Sequence, residues 1–202
     1  MLTVDQVVDI AIALADDVGL EGMSMPTLAS RLEVGTMTLY GYVANKQQLL
    51  DLMAARVFEG LEMPDIDDWR QQLWTYFHRF RQVALAHPSS ARLLADGRVT
   101  IPAVFDTLER ALRTMHNSGL TPEHAVRTFY AALTYTIGFV LWEIPRTHLQ
   151  SEADYHAQWR DLTAGLDPGS YPTLTGVASN VTPTTASIEQ FRWGLARILS
   201  IE

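Results

Sequence analysis

The stretch that decides the fold is SMPTLASRLEVGTMTLYGYVANKQQLL, residues 24–50. Ser24 is a strong helix N-cap, so a short first helix is predicted to begin there. After a break at residues 33–35, the pattern predicts a second short helix over Thr36–Val43, and Asn45 caps a third. Two short helices joined by a tight turn are typical of a helix-turn-helix unit.

The outer side of the second short helix carries unusual side chains for a solvated surface. Leu39 and Val43 are predicted to pack inward, which leaves a face of hydroxyl, thioether and tyrosine groups outside. Such groups suit thymine methyls and phosphate oxygens, so we hypothesise that this face enters duplex DNA. Alternatively, Tyr40 and Tyr42 are aromatic residues at the edge of a plain three-helix bundle.

The segment around this unit resembles the TetR family of bacterial regulators, and the tetracycline-repressor branch in particular. The shared features are Gly19, Leu28-Ala29, Leu32, Val34, Leu39-Tyr40, Tyr42, Asn45-Lys46 and Leu49-Leu50. The resemblance implies that Tyr40 and Lys46 contact phosphates and that the other outward residues face the major groove. The predicted DNA-binding residues are Ser24, Thr27, Thr36, Met37, Thr38, Tyr40, Tyr42 and Lys46.

Several features of the N-terminal segment depart from a typical DNA-binding protein. The net charge of the whole chain is −8. Within residues 1–50, Arg31 and Lys46 are the only arginine and lysine residues. Glu33 stands where the family usually has glycine, and Gly41 is expected to cost about 1 kcal/mol inside the recognition helix. Weak non-specific DNA binding with a shallow salt dependence follows. The alternative is a small-molecule-binding protein of the same fold that has lost specific DNA binding.

Composition and helical spacing predict an all-α, folded protein. Of its 202 residues, 48% are hydrophobic and 19% charged, and none is cysteine. No apolar run is long enough for a membrane span and no basic signal-peptide region is present, so the cytoplasm is expected. The predicted domains are a three-helix helix-turn-helix unit (1–46) and a larger helical ligand-binding and dimerisation domain (47–202). In the latter, a long helix is expected to end near Pro145, and residues 165–185 are expected to be mainly loop.

The resemblance also bears on the ligand of the larger domain. Tetracycline repressors hold a drug-chelated magnesium through a histidine and a glutamate, and the matching positions here are Leu94 and Trp142. These side chains cannot bind a hard cation, so we expect no magnesium–tetracycline response, no metal and no cofactor. The other two drug-contacting positions of the family, a histidine and an asparagine, match Phe58 and Tyr76.

A mostly apolar pocket is predicted instead, and it suits a small hydrophobic or aromatic effector with one acidic group near Arg98. Its predicted lining is Phe58, Tyr76, Phe80, Leu94, Arg98, Leu108, Leu112, Phe129, Leu133 and Trp142. Alternatively, these residues are ordinary core.

The remaining expectations concern assembly and chemistry. Residues 121–144 and 187–201 are predicted to pack against a second copy as a four-helix bundle, giving a homodimer that binds a double-stranded operator. An enzyme is disfavoured, because no nucleophile–base pair, carboxylate dyad or metal-ligand cluster has useful spacing. Accordingly, no catalytic residue is assigned.

Overall fold

The computed structural model describes residues 2–97, 104–148, 152–184 and 187–200. Within these ranges the chain is helical and contains no strand, which confirms the all-α prediction. None of the described helices is long and apolar enough to cross a membrane. The helices are α1 Val4–Gly22, α2 Met25–Arg31, α3 Thr36–Leu39, α4 Lys46–Val57, α5 Trp69–Ala86, α6 Pro88–Ala95, α7 Val104–Asn117, α8 Pro122–His148, α9 Glu152–Ala164, α10 Pro172–Thr184 and α11 Ile188–Leu199.

Side-chain caps fix where the N-terminal helices begin. The Thr3 hydroxyl accepts from the Gln6 backbone N–H at 3.2 Å, and the Gln6 side chain accepts from the Thr3 N–H at 3.0 Å. The Asn45 side chain accepts from the Gln48 N–H at 2.8 Å at the start of α4. Each contact satisfies a backbone donor that the helix itself leaves unpaired.

Two hydrophobic cores lie in the described part of the chain, and α4 connects them. The first core joins α1–α4 and includes Leu28, Leu39 and Met53. The second joins α5, α7, α8 and α11 around residues such as Phe77 and Phe191. Because α4 belongs to the first core and leads directly into the second, it links the two parts of the molecule.

Polar contacts add to this link on α1. The Asp16 carboxylate accepts from the Ser89 backbone N–H at 3.1 Å and from the Ser89 hydroxyl at 2.6 Å, and its second oxygen lies 2.9 Å from His87 Nδ1. Further along, Arg56 of α4 pairs with Asp9 of α1 at 3.0 Å. The helix-turn-helix unit is therefore held against the larger part by both apolar and charged contacts.

Two sequence predictions about the helices are wrong, and a third differs from the structure by less than one helical turn. Residues 165–185 were expected to be mainly loop, but α10 occupies Pro172–Thr184 and packs on α9. The long helix α8, expected to end near Pro145, continues to His148, and the exposed proline lies one turn before that end. The recognition helix is helical only over Thr36–Leu39 rather than to Val43.

Candidate DNA-binding surface and effector cavity

The recognition segment is one helical turn followed by a tight hydrogen-bonded turn. After α3, the Gly41 N–H donates to the Thr38 carbonyl at 3.1 Å, and the Val43 N–H donates to the Leu39 carbonyl at 3.1 Å. Gly41 therefore lies outside the helix, so the expected helix-interior cost does not apply. A Cβ at Gly41 would come within 3.2 Å of the Thr38 carbonyl oxygen, which explains why glycine suits this turn.

The segment has the inward and outward faces that DNA docking requires. Leu39 and Val43 are buried in the first core, whereas Met37 is 81% exposed and Tyr40 44% exposed. Thr38 is also exposed, and Thr36 is half-buried. Of the four side chains predicted to face the groove, Met37 and Thr38 are thus exposed, whereas Thr36 and Tyr42 are half-buried.

Four of the predicted DNA-binding residues have additional or different structural contacts. The Ser24 hydroxyl caps α2 by accepting from the Thr27 N–H at 3.2 Å, and the two hydroxyls lie 2.6 Å apart. Tyr42 is half-buried against the first core. Lys46, to which the resemblance assigned a phosphate contact, donates from Nζ to the Met23 carbonyl at 2.8 Å and so ties α4 to the end of α1.

Glu33 occupies the turn between α2 and α3 with a left-handed backbone, φ +56°. Its N–H donates to the Ser30 carbonyl at 3.2 Å, and the next N–H, of Val34, donates to the Ala29 carbonyl at 3.0 Å. This is the conformation that glycine adopts without cost. The turn therefore keeps a glycine-like shape although its residue is glutamate.

A cavity of about 770 Å³ lies between α1, α4, α5, α7 and α8. Seven residues of the predicted pocket line it: Phe58, Tyr76, Phe80, Leu94, Leu108, Phe129 and Leu133. Leu112 packs on the second core without lining the cavity, and Trp142 is half exposed on α8 away from it. Arg98 lies outside the described residues.

The cavity wall includes residues that sequence reasoning missed. The helix-turn-helix unit itself contributes Val4, Asp5 and Val8 of α1, and α4 contributes Leu52 and Arg56. No local sequence signal marks the α1 residues, because their role depends on how two distant parts of the chain dock. The α4 residues lie beside the buried positions Leu49, Leu50 and Met53 rather than on them, so the apolar repeat of this helix does not mark them as cavity wall.

The cavity wall includes a stacked pair of aromatic rings and a buried tyrosine. Phe58 and Phe80 stack with ring centroids 5.1 Å apart and an angle of 16° between their planes. Tyr76 is 4% exposed, and burial raises the pKa of its phenol to about 12, so the group is uncharged at neutral pH. The Tyr76 side chain forms no hydrogen bond with a described residue. A flat, mostly apolar ligand with a polar substituent fits this chemistry.

Known proteins share this sequence and this architecture. The family described as "Tetracyclin repressor-like, C-terminal domain" matches residues 63–200. The HTH-type transcriptional repressor DrrR1 of Streptomyces coeruleorubidus is 32% identical, over 98% of this chain and 76% of that protein. The tetracycline repressor protein class C of Escherichia coli is also 32% identical, over 96% of this chain and 88% of that protein.

A solved structure extends the likeness to three dimensions. The TetR family protein ActR of Streptomyces coelicolor, in complex with actinorhodin, superposes with a TM-score of 0.81 at 27% identity, covering 99% of this chain and 96% of that one. The relatives are transcriptional repressors, which confirms the prediction of a regulator rather than an enzyme. With its helix-turn-helix, its cavity and these relatives, the chain belongs to the tetracycline-repressor-like family of DNA-binding, ligand-responsive transcriptional regulators.

Proposed function

We propose that this protein is a homodimeric repressor that releases a palindromic operator when a small, mostly apolar aromatic molecule enters the 770 Å³ cavity. One observation carries the proposal: α4 and α1 supply part of the cavity wall and also belong to the core that positions the recognition segment. Occupancy of the cavity and placement of the recognition segment therefore depend on the same two helices. Such a regulator acts where the chromosome is, which places it in the cytoplasm.

The contacts at the end of α4 give a route for release. Arg56 lines the cavity and pairs with Asp9 of α1 at 3.0 Å, while Phe58 forms the adjacent aromatic wall. A ligand that moves this end of α4 also moves α1 and the helices packed on it. In a dimer, two recognition segments must reach half-sites roughly 34–36 Å apart, so a shift of a few ångströms weakens simultaneous docking. The ligand must bind the released arrangement more tightly, or it shifts nothing.

The proposed dimer interface is an exposed face of α8 together with α11. The exposed positions Arg127, Ala131, Thr134 and Gly138 recur at helical spacing on one side of α8. Three of these side chains are short, so a second helix can approach closely. On α11, Trp193 is 58% exposed and lies two residues after the buried Phe191. A large indole at the surface beside a hydrophobic core is typical of a subunit contact.

The dimer is tested by light scattering on the full chain. Ala131→Glu places a charge in the proposed interface and is expected to give monomers, because burying an unpaired carboxylate is costly. The matched control is Ala13→Glu on the exposed side of α1, which should leave the dimer intact. A dimer that persists in Ala131→Glu would place the interface elsewhere.

Operator binding is tested by fluorescence anisotropy with duplex DNA from upstream of the protein's own gene. Met37→Ala and Tyr40→Phe are each expected to weaken binding by about tenfold, since each removes a groove or phosphate contact twice per dimer. Tyr171→Phe is the matched control, because Tyr171 is 51% exposed but lies outside the helix-turn-helix. If the unaltered chain binds this DNA no better than random duplex, the alternative of a ligand-binding protein without operator recognition replaces the proposal.

A further inference from the structure

The charges around the cavity are mainly negative. Its described lining contains four carboxylates and two guanidinium groups, namely Asp5, Glu59, Glu62, Asp106, Arg56 and Arg110. The carboxylates come from α1, from the connection after α4 and from α7, so three separate segments bring negative charge to one opening. The ligand site is the cavity, and the charged groups in its lining determine which ligand charge it favours.

Both arginines already have carboxylate partners. Arg56 pairs with Asp9 at 3.0 Å and with Glu59 at 3.2 Å, and Arg110 pairs with Asp65 at 3.6 Å. An anionic ligand would have to compete with these carboxylates for either guanidinium. The lining therefore offers an acidic ligand no unoccupied cation among the described residues.

Two of the lining carboxylates, unlike the arginines, have no ion-pair partner among the described residues. Glu62 and Asp106 are exposed, and neither forms an ion pair with any residue in the described ranges. A ligand cation reaching them would gain attraction without breaking a protein contact. At the separations inside such a cavity mouth, one unit charge changes affinity by about threefold to tenfold in a partly aqueous environment.

The aromatic part of the cavity wall independently indicates a ligand with a ring and a polar group. Tyr76 is 4% exposed and lines the cavity, and its side chain forms no hydrogen bond with a described residue. A phenol hydroxyl both donates and accepts, so a polar group on a ligand in the cavity can hydrogen-bond to it. The stacked Phe58 and Phe80 rings beside it present a flat apolar wall.

We propose that the effector is an aromatic cation: a flat ring system lies against Phe58 and Phe80, and a protonated amine lies at the acidic mouth formed by Glu62 and Asp106. This inference rests on the proposed function of the cavity and specifies its ligand. The sequence-based expectation of an acidic group depended on Arg98, which lies outside the described residues, and it is the alternative that an anionic probe tests. A polar substituent on the ring would hydrogen-bond to Tyr76.

The test uses three probes with one ring system and different charge. The probes are 9-(aminomethyl)anthracene, a cation at pH 7, 9-anthracenemethanol, which is neutral, and anthracene-9-carboxylate, an anion. Binding to the full-length protein is measured by calorimetry and by quenching of tryptophan fluorescence. The amine is expected to bind about tenfold tighter than the alcohol, and the carboxylate weaker than the alcohol. Raising the salt concentration should reduce these differences.

Charge-neutral variants identify the groups responsible. The double variant Glu62→Gln with Asp106→Asn should weaken amine binding by about tenfold and change alcohol binding by less than about twofold. Glu109→Gln is the matched control: Glu109 is also an exposed carboxylate on α7, but it pairs with Arg113 at 2.8 Å and does not line the cavity. Leu133→Trp, which fills the cavity, should abolish binding of all three probes.

Several results would overturn the charge assignment alone. One is that the anthracene carboxylate binds as tightly as the anthracene amine, and a second is that the double variant keeps the preference for the amine. The third such result is that the amine does not bind although the protein still binds its operator. Binding that is unaffected by Leu133→Trp would place the probes outside the cavity and also overturn it. Failure of the proposed function is a separate observation, because it is the absence of specific operator binding when no probe is present.

Discussion

Glu33 is the residue on which the turn between α2 and α3 depends. Its backbone is left-handed, φ +56°, while its N–H and that of Val34 close the turn onto α2. A residue with a Cβ pays about 1 kcal/mol or more for this conformation, whereas glycine does not. We therefore expect Glu33→Gly to raise the free energy of unfolding by about 1 kcal/mol, measured by urea denaturation.

The matched control for this prediction is Glu33→Ala. Alanine removes the same charge and side chain but keeps the Cβ, so it should give no comparable gain. A β-branched substitution, Glu33→Val, should destabilise the protein because the left-handed conformation crowds its branched carbon. Equal stability of the glycine and alanine variants would show that the left-handed turn carries no strain.

His78 makes stability depend on pH. Burial lowers the pKa of its imidazole, a hydrogen bond to the Trp74 carbonyl at 2.8 Å opposes that shift, and the nearby charges of Arg192 and Arg81 lower the pKa further. The other ring nitrogen, Nε2, is buried without a partner among the described residues. The imidazole of an unfolded chain has a pKa of about 6.5. As the pH falls below that value, the unfolded state binds a proton at His78 more readily than the folded state does, so the folded state loses stability.

We therefore expect the melting temperature to fall between pH 7 and pH 5.5, and to fall less in His78→Phe. The phenyl ring keeps the packing against Trp74 and Phe191 but cannot titrate. His124→Gln, which removes a histidine at an exposed position of α8, serves as the control. Identical pH profiles for the unaltered protein and His78→Phe would contradict this origin of acid sensitivity.

Single-residue roles were predictable where they depend on local spacing. Leu39 and Val43 were assigned inward and Met37 outward from helical periodicity, and burial agrees. The contact of Lys46 with the Met23 carbonyl was not predictable, because the two residues meet only after α1 and α4 pack. A motif gives the position of such a side chain but not its partner.

At the scale of elements, α10 shows how composition can mislead. Its segment is rich in glycine, serine, threonine and proline, which favours loop in isolation. The structure contains a helix there because Pro172 occupies a first-turn position that tolerates proline, and Leu174 and Ala178 are partly buried at helical spacing in a helix that packs on α9. The partner helix stabilises a segment whose own propensity is weak.

The packing of α11 on α8 depends on the absence of one side chain. A Cβ at Gly194 would overlap the ring and hydroxyl of Tyr135. That hydroxyl donates to the backbone carbonyls of Gln190 and Phe191 at 3.1 and 3.2 Å, which holds the two helices in close contact. Gly194→Ala is therefore expected to lower the free energy of unfolding by about 1–3 kcal/mol, although alanine favours an isolated helix by about 1 kcal/mol.

The control is Gly176→Ala in α10, where a Cβ would meet no atom within 4 Å. That change should stabilise the protein by roughly 0.5–1 kcal/mol through helix propensity alone. Tyr135→Leu should remove the overlap, so the double variant should lose less stability than the two single variants added together. Strict additivity in this thermodynamic cycle would show that Gly194 does not act through Tyr135.

At the scale of the whole molecule, the cavity was only partly predictable. Apolar residues on α5, α7 and α8 were assigned to it from helical spacing and the family resemblance, and most of them line it. The contribution of Asp5 and its neighbours on α1 depends on docking between the two cores, which no periodicity encodes. The acidic character of the mouth was missed for the same reason, since Glu62 and Asp106 are 44 residues apart in the sequence.

The charge distribution of the molecule predicts how salt affects operator binding. Arg31 and Lys46 are the lysine and arginine residues of residues 1–50, and both have protein contacts, with Asp17 at 3.5 Å and with the Met23 carbonyl at 2.8 Å. A dimer therefore neutralises about four phosphates or fewer with these side chains. The logarithm of the operator association constant should fall with the logarithm of salt concentration with a slope of about −4 or shallower.

Adding charge at one position tests this origin of the slope. Pro26 is exposed near the start of α2, and Pro26→Arg adds two positive charges per dimer on the side of the molecule that we propose meets DNA. The slope should become steeper by about 1.8, because each neutralised phosphate contributes about 0.9. Gln82→Arg on the exposed side of α5 changes the net charge equally but is remote from the proposed interface, so its slope should match that of the unaltered protein. If the slope steepened equally in both variants, net charge rather than the helix-turn-helix surface would govern binding. A slope near −10 in the unaltered protein would require other basic residues to contact DNA.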